Sequence, residues 1–183
     1  VTEYCNLPES AHLAAIVDVN QAAQETAVAM VKKIRGHEPK TYYDMREAFA
    51  DKSIDAVSIA TPNHWHVLAA LWAVQAGKAV YVEKPVSHNM FEGKQLTAAA
   101  RKHARIVQVG QQSRSTPHKM KAIQMLRDGV IGQVYMAKGL CFKRRKTIGK
   151  TPLEAPPAGV NWDLFLGPAQ KKEFSQNRFK YNW

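Results

Sequence analysis

The sequence predicts an α/β fold, a doubly wound parallel sheet with helices on both faces, and a second domain that opens towards its end. Three observations carry this reading. Short apolar runs rich in Val, Ile and Ala alternate with stretches of helical period, which is the pattern of βαβ units. Each run ends on a polar or turn-forming cluster: Asp18, Thr61-Pro62-Asn63, Glu83-Lys84-Pro85 and Gly110-Gln111-Gln112. After Gly132 the alternation stops. The boundary therefore falls near residues 128–132, with one domain over 1–130 and the start of another over 131–183.

Leu13-Ala14-Ala15-Ile16-Val17, ending in Asp18, has the continuous apolar character of a buried parallel strand. The Ala-rich stretch from about Gln21 to Ile34 sets Val28, Val31 and Ile34 at helical spacing, and Gly36 stops it. A short extended piece at Thr41-Tyr42 precedes Asp44, the expected N-cap of a helix to about Asp51. Ala56-Val57-Ser58-Ile59-Ala60 is the next strand, broken by Thr61-Pro62-Asn63. An apolar helix is expected over about His64 to Gln75, with Leu68, Leu71 and Trp72 on one stripe and Gly77 beyond it.

Ala79-Val80-Tyr81-Val82 is a further strand that runs straight into Glu83-Lys84-Pro85. A helix follows over about Asn89 to His103, then a strand at Ile106-Val107-Gln108-Val109. Thr116-Pro117 supplies a cap and a first-turn proline for a helix to about Asp128, closed by Gly129. Beyond it, Gln133 to about Arg145 reads as one long strand-like stretch. A Pro/Gly-rich loop over Thr151–Gly159 and an aromatic segment from Asn161 to Gly167 complete the chain's readable pattern.

Composition narrows the function classes. Of 183 residues, 45% are hydrophobic and 22% charged, which is globular rather than disordered. No apolar run approaches the ~18 residues that a membrane-spanning helix needs. Cys5 and Cys141 match no CxxC spacing, so neither a disulfide framework nor a Cys-based zinc site is expected. Net charge is +11, and Lys94–Lys150 alone holds 14 basic residues against Asp128. Such a block either signals an anionic ligand or nucleic acid, or is a solvated face; the solvated face is favoured, because no nucleic-acid module surrounds Phe142-Lys143-Arg144-Arg145-Lys146. The chain begins at Val1 without a signal-peptide pattern and stops at Trp183 inside an aromatic run. It reads as an internal fragment, expected to be inactive by itself, with its compartment open between cytoplasm and export.

In open α/β sheets, ligands bind beyond the carboxyl ends of the strands. Asp18 sits where a dinucleotide-binding unit keeps the acid that accepts hydrogen bonds from the adenosine ribose. Val19, Asn20 and Gln21 follow it with no Arg, which favours NAD over NADP. The glycine fingerprint belongs ~20 residues earlier, and no GxG occurs in the chain. His64 and His66 lack the carboxylates or cysteines that would complete a metal set, and no metal is expected. Glu83 and Lys84 adjoin at the end of an apolar strand, where two charges are costly unless paired or used. A partly desolvated Lys84 there could steer the proton of a substrate hydroxyl.

The ordered set Ala60-Thr61-Pro62-Asn63, His66, Ala76-Gly77-Lys78, Val80, Glu83-Lys84-Pro85, Arg114, Pro117 and Ile131-Gly132 resembles the Gfo/Idh/MocA oxidoreductases. Trp162 and Leu166-Gly167-Pro168 look like a sugar dehydrogenase subgroup of that family. The resemblance implies a Rossmann domain followed by an α/β domain whose open sheet serves substrate binding and homo-oligomerisation. It implies hydride transfer between a nicotinamide cofactor and a sugar, polyol or related carbohydrate. By position, Thr61, Pro62, Asn63 and His66 would line the cofactor site and Glu83 would lie near the nicotinamide ribose. Lys84 and Arg114 would contact substrate, with Lys84 at the reacting hydroxyl. The family's later Asp and His, with the His as acid/base, have no counterpart up to Trp183.

Three other readings compete with it. A carbohydrate-binding or sensory relative would keep the fold without the chemistry. Nucleic-acid binding ranks last and would weaken steeply with salt. A Lys84 Schiff base would be trapped by borohydride.

Overall fold

This computed structural model, which describes residues 1–8, 10–142, 144 and 146–179, holds two parallel sheets, one of two strands and one of three. In chain order the elements are α1 (Thr2–Cys5), β1 (Ala15–Val17), α2 (Gln21–Arg35), β2 (Lys40–Tyr42), α3 (Met45–Ala50) and β3 (Ala56–Ile59). Then come α4 (His66–Gln75), β4 (Ala79–Val82), α5 (Met90–Lys102), β5 (Val107–Val109), α6 (Pro117–Arg127), α7 (Trp162–Leu166) and α8 (Gln176–Phe179). Strand β1 pairs with β2 in the register Val17↔Tyr42. Strand β4 lies between β3 and β5, with Ile59↔Val82 and Val82↔Val109 on one rung. Among the described residues β1 and β3 do not pair with each other. The common doubly wound order, 3-2-1-4-5-6, sets one strand between the pair that these two represent.

The core forms on one face of β3-β4-β5. Side chains alternate along a strand, so Val57, Ile59, Val80, Val82, Val107 and Val109 share a face, and α4 and α5 cover it. Helix α4 is apolar nearly all round because it is buried nearly all round: Val67, Ala69, Ala70, Ala73 and Val74 lose their solvent contact. Leu96 of α5 and Phe49 of α3 close its sides. The opposite face carries Ser58, Tyr81 and Gln108 on one rung, and Tyr4 of α1 reaches it by hydrogen bonding to the Ser58 hydroxyl.

The helix ends follow local chemistry. Asn20, Asp44 and Asn89 each accept a first-turn N–H. At α5 the Glu92 carboxylate also accepts from the N–H of His88, the residue before the cap, and from the Asn89 side-chain amide. Gly36 ends α2 at φ 74°, a left-handed conformation that costs glycine little. Lys78, from the Ala-Gly-Lys run, is buried and donates to the carbonyl oxygens of Asp51 and Ile54 at 2.6 and 2.7 Å. It ties the α3–β3 loop to the start of β4.

Three expectations need correction. The helix expected from His64 starts at His66, because Asn63–Trp65 forms a 3-10 turn. Thr116 is the N-cap of α6, but its hydroxyl donates to Ser113 O instead of receiving a helix N–H. The long strand expected over Gln133–Arg145 is not formed: residues 133–142 and 144 pair with no described strand, and Lys143 and Arg145 lie outside the described residues. A strand needs a neighbour for its backbone and a surface for its apolar side chains. Tyr135, Leu140 and Phe142 are instead exposed.

Candidate cofactor and catalytic site

The loops after β3, β4 and β5 are tied together by side chains. The buried His66 ring sits between two backbone carbonyls, with Nδ1 2.7 Å from Pro85 O and Nε2 2.9 Å from Thr61 O. Carbonyl oxygens only accept, so both contacts are hydrogen bonds at once only when both ring nitrogens carry protons. The ring thereby joins the Thr61-Pro62-Asn63 turn to the Glu83-Lys84-Pro85 turn, whose Lys84–Pro85 peptide is cis. Glu83 receives a hydrogen bond from the Gln112 amide, which brings in the loop after β5. Gly110 makes room for this: a Cβ there would stand 2.9 Å from the Tyr81 hydroxyl and 3.1 Å from the Glu83 carboxylate. Tyr81 titrates above its ordinary value, chiefly by desolvation and then by the Glu83 charge.

Lys84 corrects an expectation. Its position after an apolar strand pointed inward, yet the side chain is exposed. The apolar run ends at Val82, and the backbone leaves the ladder before Lys84, so strand burial does not extend to it. Its side chain is therefore exposed to solvent, and the Glu83 carboxylate accepts the Lys84 backbone N–H at 3.3 Å. Arg114 lies in a 3-10 turn, Gln112–Ser115, and is also exposed, with a 3.4 Å contact to the Gln111 side chain.

Asp18 stands apart from these loops, at the end of β1. Its carboxylate accepts the Asn20 N–H at 2.9 Å. Burial pushes the carboxyl above its ordinary value, and the Asn20 and Val19 N–H groups oppose that shift. Thr61 supplies the other telling atom: its hydroxyl is buried and has no hydrogen-bond partner among the described residues. An unpaired buried hydroxyl is costly, and this one lies at the end of β3. The acceptor carboxylate at the end of β1 suits the diol of a ribose, while the Thr61 hydroxyl is an unsatisfied group shut off from solvent in the loop after β3.

A second set of contacts was not legible in the sequence. Residues 159–167 cross the carboxyl ends of both ladders. Val160 bridges Asn20 in antiparallel fashion, and the Asn161 N–H donates to Val19 O at 2.8 Å. Farther along, the Trp65 indole N–H donates to Leu164 O at 2.9 Å, and His64 Nε2 lies 2.9 Å from Phe165 O. Gly167 has φ 48°, and any Cβ on it would overlap the Trp65 indole. His64 and His66 thus diverge to different partners. Only the Gly after an aromatic run hinted at this close approach.

A family model described as an oxidoreductase family with an NAD-binding Rossmann fold, the Gfo/Idh/MocA model, matches residues 2–111. The chain belongs to this family. It is 36% identical over 95 residues to YrbE, an uncharacterized oxidoreductase of Bacillus subtilis, covering 52% of this chain and 28% of YrbE. A glycosyl hydrolase family 109 protein of Shewanella sp. is 28% identical over 138 residues, covering 73% of this chain and 30% of the relative. Among solved structures, scyllo-inositol dehydrogenase from Lactobacillus casei with bound NAD(H) and scyllo-inositol matches with a TM-score of 0.62 and 26% identity. That match covers 72% of this chain and 37% of the dehydrogenase. The chain therefore spans about a third of the length of these family members. No described helix is long and apolar enough to cross a membrane.

Proposed function

We propose that the complete protein is an NAD-dependent oxidoreductase that acts on a CH–OH group of a sugar, polyol or related carbohydrate. The observation that carries this reading is the exposed Lys84 side chain, next in sequence to Glu83, in a turn that His66 ties to Thr61-Pro62-Asn63. NAD, when bound, supplies the hydride acceptor. Asp18 accepts from the adenosine ribose hydroxyls, and no Arg follows it to hold a 2′-phosphate, so NAD is preferred over NADP. Thr61, Pro62, Asn63 and Glu83 face the nicotinamide half. Lys84 hydrogen-bonds the substrate oxygen and stabilises it as its proton passes to a general base, the role that the resemblance gives to a later His of the complete protein, and Arg114 helps hold the substrate. His66 acts through the two loops as a positioning residue. Residues 1–130 form the dinucleotide unit, 131–183 open the substrate and homo-oligomerisation domain, and no nucleic acid is bound.

The test incubates the complete protein with NAD and a panel of sugars and polyols and follows NADH absorbance. NADH formation with at least one of them supports the reading, and none with any would sink it. A second reading has support from the Shewanella relatives, which are named as glycoside hydrolases, since some glycosidases depend on NAD. Release of a chromogenic aglycone without net NADH would favour that chemistry. Tight carbohydrate binding with neither reaction would favour a non-catalytic relative.

A further inference from the structure

We propose that Tyr43 and the segment Pro156–Trp162, which lies outside the sheet, form the wall against which the adenine of the cofactor seats. This rests on the NAD reading above and assigns residues to one end of it. Asp18 and Tyr43 follow directly on the paired residues Val17 and Tyr42, and the Asp18 N–H donates to Tyr42 O at 3.2 Å. Beside them opens a cavity of about 630 Å³, lined among others by Tyr43, Pro156, Gly159, Asn161 and Trp162. That volume lies within the range of small-molecule sites, roughly 300–1,000 Å³.

The wall is anchored to the ribose-binding turn itself. The Gln21 N–H donates to Gly159 O at 2.9 Å, and the Asn161 N–H donates to Val19 O, next to Asp18. The Tyr43 hydroxyl lies 3.3 Å from the Gln21 side-chain oxygen and 3.5 Å from Gly159 O, which fixes its ring at the mouth. Gly159 sits at φ 77°, and a Cβ on it would press on Gln21 at 3.1 Å. Trp162 is held by stacking on Phe165 at 4.9 Å and by its N–H to Lys172 O at 2.7 Å. A flat heterocycle linked to a ribose that Asp18 holds is the ligand that this combination suits: aromatic rings and a proline for its faces, backbone and amide groups for its edge.

The experiment measures binding, not turnover. The complete protein and its variants are titrated calorimetrically with NAD, AMP and nicotinamide mononucleotide. Tyr43→Ala should weaken NAD and AMP about tenfold, the order expected for one lost base–aromatic contact. Tyr43→Phe should restore most of that affinity, and nicotinamide mononucleotide should bind all three proteins alike. If wild type binds NAD and Asp18→Ala weakens it, while Tyr43→Ala changes neither NAD nor AMP, the wall is overturned and the cofactor reading survives. If wild type binds no NAD, the cofactor reading fails and takes the wall with it. Photolabelling of wild type with an azidoadenine analogue of NAD needs no variant to fold. Label on Tyr43 or residues 156–163 supports the wall, and label confined to the loops after β3, β4 and β5 overturns it.

Discussion

The His66 ring and the Pro85 carbonyl oxygen stand 2.7 Å apart, and this contact, with its mate at Thr61, fastens two strand-end loops to each other. A ring with one N–H donates to one of these carbonyls, so its removal costs that carbonyl a hydrogen bond and empties the buried space that the ring fills. His66→Leu should lower unfolding free energy by about 1–3 kcal/mol, the order of cost of one hydrogen-bonding group left unpaired. It should also raise the KM for NAD. A urea titration reads the first effect, and an unchanged midpoint would show that the loops hold themselves.

Gly167 tests the docking of α7. Gly167→Ala adds a methyl group where the Trp65 indole lies and forces a left-handed backbone on a residue that resists it. The segment should lift from Trp65, so limited proteolysis should cut around residues 159–170 much sooner than in wild type. Equal protection would contradict the contact.

Asp18 makes stability depend on pH in a defined sense. Its carboxyl is raised by burial, so the folded protein holds that proton more tightly than the unfolded chain. The group therefore costs nothing below the unfolded carboxyl range and destabilises as pH rises through the folded value. Asp18→Asn, which keeps an acceptor for the Asn20 N–H, should unfold at higher urea than wild type at pH 7. The gap should close by about pH 3. A variant less stable than wild type at pH 7 would reverse the sign and refute the account.

The role proposed for Asp18 also fixes an expected cofactor preference. Comparison of kcat/KM with NAD and NADP in the complete protein should favour NAD, because the carboxylate repels a 2′-phosphate. Asp18→Ala should narrow that preference, mainly by loss of NAD. Preference for NADP in wild type would be incompatible with the role given to Asp18.

Much of the framework was legible in the residues. Apolar runs at Ala56–Ala60 and Ala79–Val82 mark strands because burial on a parallel sheet demands them, and a cap such as Asp44 acts locally. What escaped had non-local causes. The burial of a strand says nothing about the turn after it, so Lys84 was expected inside and lies outside. The Gln133–Arg145 stretch has strand composition, but pairing depends on a neighbour that composition does not reveal. The crossing of residues 159–167 over both ladders rests on backbone hydrogen bonds to Val19 and on Trp65. Backbone contacts between residues more than a hundred positions apart leave no periodic trace.

Lys84 is where the central claim meets one measurement: steady-state kinetics of Lys84→Ala in the complete protein, with NAD and a carbohydrate that wild type oxidises, beside a direct titration of NAD. If Lys84 steadies the reacting oxygen as proposed, loss of its ammonium should cut kcat/KM by ~10²-fold or more, while NAD affinity stays close to wild type. An unchanged kcat/KM would contradict the account, because Lys84 would then be a surface residue with no part in the chemistry.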